Sequence, residues 1–161
     1  MKINLTTDRT WTELSIPELL SIPCQKPDIE SINKVFVAVK ILSKRVIETP
    51  VALKADGTLQ ENLEGTKLTG RKLIVEGLLR QKIVYIAAVP TQTVHSAHFD
   101  VPFSAFIILG SDAFVDEEFC LDVCVEDVFV MPFNRREIFK NVTLFLRTAP
   151  FNYCSWLCVI N

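Results

Sequence analysis

"KVFVAVKIL", residues 34–42, decides how the chain is read. Val35, Val37, Val39 and Ile41 alternate with Phe36, Ala38, Lys40 and Leu42. A period of two belongs to a β-strand, in which successive side chains point to opposite faces. A helix would repeat its apolar residues three and four apart. Working outward, "KRVIETPVAL" (44–53) follows after one or two turn residues, and "ADGTLQENLEGTKLTGRK" (55–72) is a long polar connection with Asp56-Gly57 as its turn signal. "KLIVEGLL" (72–79) and "KIVYIAAV" (82–89) are apolar runs separated by Arg80-Gln81, a spacing that predicts a hairpin. "FSAFIIL" (103–109), "FCLDVCVEDVFVM" (119–131) and "NVTLFLR" (141–147) complete the set.

These runs predict about seven or eight strands rich in β-branched and aromatic residues. Two stacked antiparallel sheets bury such strands, so the expected fold is mainly β, an antiparallel β-sandwich. A β-barrel is the alternative. Residues 10–33 hold three prolines and only short apolar clusters. They read as an extended N-terminal arm with helical turns near Pro17–Leu20 and Asp28–Asn33, where Pro at a first helical position and Asp as an N-cap fit. The expected organisation is an arm over 1–33, a sandwich over 34–148 and a strand-like, cysteine-containing C-terminal tail over 149–161.

Composition narrows the function classes. The chain has 161 residues, 49% hydrophobic and 22% charged, with a net charge of −2. That is a globular balance for a single domain. Positive charge is interspersed rather than clustered, so no nucleic-acid partner is expected. No apolar run approaches the roughly 20 residues of a membrane span. The opening "MKINLTTDRTWTELS" lacks the apolar h-region of a secretory signal. The expectation is a protein made inside a cell and delivered, if at all, by assembly or lysis.

Chemistry finds little purchase. His95 and His98, the two histidines, stand three apart, which on a strand puts them on opposite faces and prevents joint chelation. There is no nucleophile elbow and no phosphate-binding loop. The acidic groups Asp116–Glu118 and Glu126–Asp127 read as a solvated loop and a strand irregularity. No catalytic residue, cofactor or metal site is expected, and the protein is not expected to be an enzyme.

The cysteines say more. In "FCLDVCVED", Cys120 and Cys124 share a face with Asp122 and Glu126, opposite Phe119, Leu121, Val123 and Val125. They stand about 13–14 Å apart along a strand, too far to bond to each other. Cys154 and Cys158 have the same spacing in the tail. With Cys24, all five are candidates for disulfides between subunits, and a tail paired beside 120–124 would set two cysteine pairs across from each other. Trp11, Phe36, Phe145, Phe151 and Trp156 are candidate subunit contacts, because strand alternation or a terminal position leaves them outside the core.

As a set, "TWTELSIPELLSIPCQKPDIESI", "KLTGRKLIVEGLLRQKIVYIA", "VHSAHFDVPFSAFIIL" and "VEDVFV" followed by "RREIFKNVTLFL" resemble the SPOCS domain of sporulation proteins from endospore-forming bacteria. The specific pieces are K-P-D-I at Lys26–Ile29, V-x-G-x-L at Val75–Leu79 and V-H-S-x-H-F…P-F-S at Val94–Ser104. The resemblance implies a non-enzymatic role in assembling the spore envelope. Some members carry a C-terminal LysM module and dock the coat; this sequence shows none, which favours a stand-alone structural subunit. The expectation is synthesis in the mother-cell cytoplasm and deposition on the spore surface, with itself and other coat proteins as partners. A binding module that grips a coat protein or glycan is the alternative.

Overall fold

The computed structural model describes residues 10–150. Six strands follow one another: β1 (Trp11–Ser21), β2 (Ile29–Val51), β3 (Thr69–Ala87), β4 (Val94–Ile108), β5 (Phe119–Pro132) and β6 (Glu137–Pro150). They form two antiparallel three-stranded sheets, ordered β1-β6-β5 and β2-β3-β4. The mainly-β sandwich therefore stands, with six long strands among the described residues where the sequence suggested seven or eight shorter ones.

The difference in number has a simple origin. "KVFVAVKIL" and "KRVIETPVAL" fuse into the 23-residue β2, which absorbs the irregularity in its alternation as a register shift between Ile41 and Ser43. Arg80-Gln81 is no turn: Gln81 sits mid-strand, opposite Val37 and Phe99. The expected helical turns are also corrected, since Pro17–Leu20 lies within β1 and Ile29 opens β2. β1 is a sheet edge, where proline's missing N–H costs no ladder bond. Pro102 in β4 uses the same tolerance on the other sheet.

The core is built from the inner faces of the central strands. Val75, Leu79, Ile83 and Tyr85 of β3 and Ile138, Val142, Leu144 and Leu146 of β6 are fully buried. Each such side chain contributes about 1.5–3 kcal/mol when taken out of water. Among the buried polar groups of β3 and β6, two stand out. Lys140 of β6 is fully buried, and its ammonium donates to the Ile16 carbonyl at 3.5 Å. Gln81 of β3 is 3% exposed, and among the described residues neither polar atom of its amide meets a hydrogen-bond partner.

Candidate assembly surface

The two long sides of the sandwich differ. Where β1 and β4 meet, the inner residues Ile16, Leu20, Ala97, Val101, Phe103 and Ile107 are buried. On the other side stand β2 and β5, each the outer strand of its sheet. They pass in opposite directions and are tied at both ends. The Ile29 N–H donates to the Arg135 carbonyl at 2.8 Å, just past the end of β5. The Lys44 ammonium donates to the carbonyl of Phe119, at its start. Between the ties, Val35, Val37, Val39 and Ile41 of β2 and Leu121, Val123 and Val125 of β5 pack on the core yet remain only partly buried. The valines that announced the strand thus line the mouth of an apolar seam between two sheet edges.

The outer face beside the seam is apolar too. Phe36 is 53% and Leu42 56% exposed. The Lys82 ammonium lies 6.0 Å from the centre of the Phe36 ring. Phe36, Arg80, Lys82, His98 and Asp100 surround a shallow, open depression. Phe145 behaves differently from the expectation of a bare contact residue: the Trp11 ring stacks on it at 5.8 Å, leaving it partly covered while Trp11 stays 42% exposed. Trp11 and Phe145 meet because their neighbours pair, Glu13 with Phe145 and Trp11 with Arg147, across β1 and β6. Phe151, Cys154, Trp156 and Cys158 lie outside the described residues.

Cys24 sits in the β1–β2 connection as a free, exposed thiol. Cys120 and Cys124 lie on one face of β5, opposite Ala149 and Phe145 of β6. His95 and His98 occupy opposite faces of β4. His95 stacks on its cross-strand neighbour Tyr85 at 5.9 Å and hydrogen-bonds the Thr93 hydroxyl at 2.9 Å, while His98 pairs with Lys82 on the outer face. Among the described residues, no three His, Cys, Asp or Glu side chains converge as a metal site would require. Glu126 sits at a register shift between Val125 and Asp127. Glu117 accepts from the Phe114 N–H in its loop.

The sequence reading passed over Arg136. Its guanidinium donates to the carbonyls of Ile22 (2.9 Å), Pro23 (2.8 Å) and Lys26 (2.7 Å) and pairs with the Asp28 carboxylate at 3.1 Å. The Tyr85 hydroxyl donates to the Pro27 carbonyl at 2.9 Å, and the Ala88 N–H to that of Asp28. Burial pushes the Tyr85 phenol pKa up. Lys26-Pro27-Asp28-Ile29 is therefore a clasp that joins the β1–β2 crossing to the end of β3 and the start of β6. Gly77 has an equally local reason: a Cβ there would fall 2.6 Å from the Phe103 ring and 2.8 Å from the Lys40 carbonyl.

These features fall on the three sequence pieces singled out above, and the family model of the SipL SPOCS domain matches residues 28–132. The chain belongs to the SPOCS-domain family. The match runs from Asp28 in the clasp through β2, β3 and β4 to the end of β5, so both lips of the seam lie within this SPOCS domain. β1 and β6 fall outside the matched stretch, although β6 is the centre of its sheet. Neither the curated proteins nor the solved structures yield a match. Family membership supports a sporulation-related role. No helix among the described residues is long and apolar enough to cross a membrane.

Proposed function

We propose that this SPOCS-domain protein is a non-enzymatic structural subunit that assembles with copies of itself in the bacterial spore envelope. It is made in the mother-cell cytoplasm and deposited on the spore surface, as coat, exosporium or appendage material. One observation carries this reading: β2 is a 23-residue outer strand flanked by a half-buried apolar row and by exposed Phe36 and Leu42. An outer strand offers a row of N–H and C=O groups to another chain, and exposed apolar side chains beside it reward that pairing. Between Lys34 and Lys40 it carries no charge to repel a neighbour. A strand or arm of a second copy adds to β2, and the exposed Cys24 thiol is available for a bond between subunits once the surroundings are oxidising.

The depression around Phe36, Lys82, His98 and Asp100 favours a second reading, an adaptor that holds a coat protein or glycan, since an aromatic ring among polar groups suits a sugar face. Light-scattering mass of the full chain separates the two. Assembly through β2 gives species of many subunits in the wild type and a discrete small species for the double variant Phe36→Glu, Leu42→Ser. The new carboxylate has Lys82 as a partner, so the fold is spared. A wild type that is a discrete monomer and binds coat proteins or glycans refutes assembly and supports the adaptor.

A further inference from the structure

We propose that copies of this chain also join end to end, with Phe114 and Asp116 of one copy seated in a cleft beside Arg135 of the next.

The two ends of the sandwich carry complementary features. Where β2 begins and β3 and β5 finish lies an open cleft of about 520 Å³. Pro90 and Pro132 give it apolar walls, and Glu30 and Arg135 bring charge to its lining. Hydrogen bonds hold that lining in place. The Ile29 N–H donates to the Arg135 carbonyl at 2.8 Å, and the Ala88 N–H to that of Asp28 at 2.9 Å. Gln92 adopts a left-handed φ of 46°, uncommon for a residue with a side chain. Its amide donates to the Glu30 carboxylate at 2.9 Å. Such strain persists where several contacts fix it, and it gathers at binding sites. Glu30 is thereby engaged, whereas the exposed Arg135 guanidinium has no partner among the described residues.

The opposite end presents what this cleft accepts. The β4–β5 loop, residues 109–118, is tied to the start of β3, where Arg71 Nε donates to the Ala113 carbonyl at 2.9 Å. Ala113 and Phe119 are buried anchors, yet between them Phe114 is 75% and Val115 45% exposed. The Phe114 N–H donates to the Glu117 carboxylate and the Glu117 N–H to the Phe114 carbonyl, both at 3.1 Å. The loop therefore holds an aromatic ring out in water in a fixed frame. Asp112, Asp116, Glu117 and Glu118 give it four carboxylates and no cation. With Glu117 occupied within the loop, Asp116 is the carboxylate nearest in sequence to Phe114 that is left for Arg135.

A single chain cannot join its own ends, because roughly 50–60 Å of β3 lies between them. The contact uses different surfaces on the two copies, so it repeats in one direction and builds a filament unless the rotation closes a ring. Phe114 between two prolines is a desolvated anchor, and the Asp116–Arg135 pair sets its orientation. One loop in one cleft is a contact of the small, transient class. It acts where β2 pairing already links copies and multiplies the contacts, so it rests on the proposed self-assembly and gives that assembly its long axis.

The test compares full-length wild type with Asp116→Arg, Arg135→Glu and an equimolar mixture of the two variants. Both side chains are exposed, so the fold is spared. Light-scattering mass is followed against concentration. Each variant alone sets like charges together at every end contact. In the mixture, the loop of each variant meets the opposite charge in the cleft of the other. The expected result is that each variant needs at least roughly tenfold more protein to assemble, and that the mixture returns to the wild-type concentration. Variants that assemble as readily as the wild type, or a mixture as impaired as its parts, would overturn the end contact and leave β2 pairing standing. A wild type that stays a single chain at every concentration would overturn both.

Discussion

At the scale of single residues, two positions show how closely this sandwich is filled. Gly77 is opposite Phe103 in the β3–β4 pair, and the ring lies across the space a side chain would occupy. Gly77→Ala is expected to cost about 1–3 kcal/mol, the usual penalty of overpacking, read as a lower urea midpoint. An unchanged midpoint would mean that Phe103 and Lys40 yield freely. Lys140 makes a pH-dependent prediction. Burial pushes its ammonium pKa below the ordinary value, with Glu18 opposing. The unfolded chain therefore holds this proton more tightly than the folded one. The resulting destabilisation is full below the folded pKa and fades as pH rises toward the unfolded value. The raised pKa of Tyr85 acts in the opposite sense near its own titration, so the informative quantity is the difference between wild type and Lys140→Met. The variant is expected to be the more stable at about pH 7, with the gap narrowing as pH rises toward the unfolded lysine value. A gap that widens as pH rises would contradict the assignment.

At the scale of elements, the strand edges explain both what the sequence disclosed and what it hid. The alternation in "KVFVAVKIL" identified β2 and its two faces, because that pattern is a direct image of the pleat. It did not disclose that the strand continues to Val51, since a register shift conceals the continuation from any period-two reading. Pro17 and Asp28 suggested helical turns through local preference alone. The edge position of β1 and the Arg136–Asp28 pair, both long-range facts, decided otherwise. Arg136 itself gave no signal, because its partners are mostly carbonyls more than a hundred residues away. β3 and β6 are central in their sheets, so their amides should show the slowest hydrogen exchange. Amides in Val35–Ile41 of β2 that point away from β3 should exchange fast in isolated protein and slow markedly on self-association. Equal exchange in both states would remove β2 as the assembly edge.

At the scale of the whole molecule, the sandwich is closed where β1 meets β4 and partly open where β2 faces β5. The half-buried valines were legible in the sequence as a core-facing row. Their place at the mouth of a seam was not, because it depends on which strands end up at sheet edges. Family membership supplies the setting, sporulation, and the seam supplies a physical reason for a second copy to bind. Electron microscopy of the purified full-length protein under oxidising conditions is the most direct test of that account. Regular assemblies of many subunits, lost in the Phe36→Glu, Leu42→Ser variant, are the predicted result. Dispersed single particles of one chain, at concentrations where the fold is intact, would contradict it.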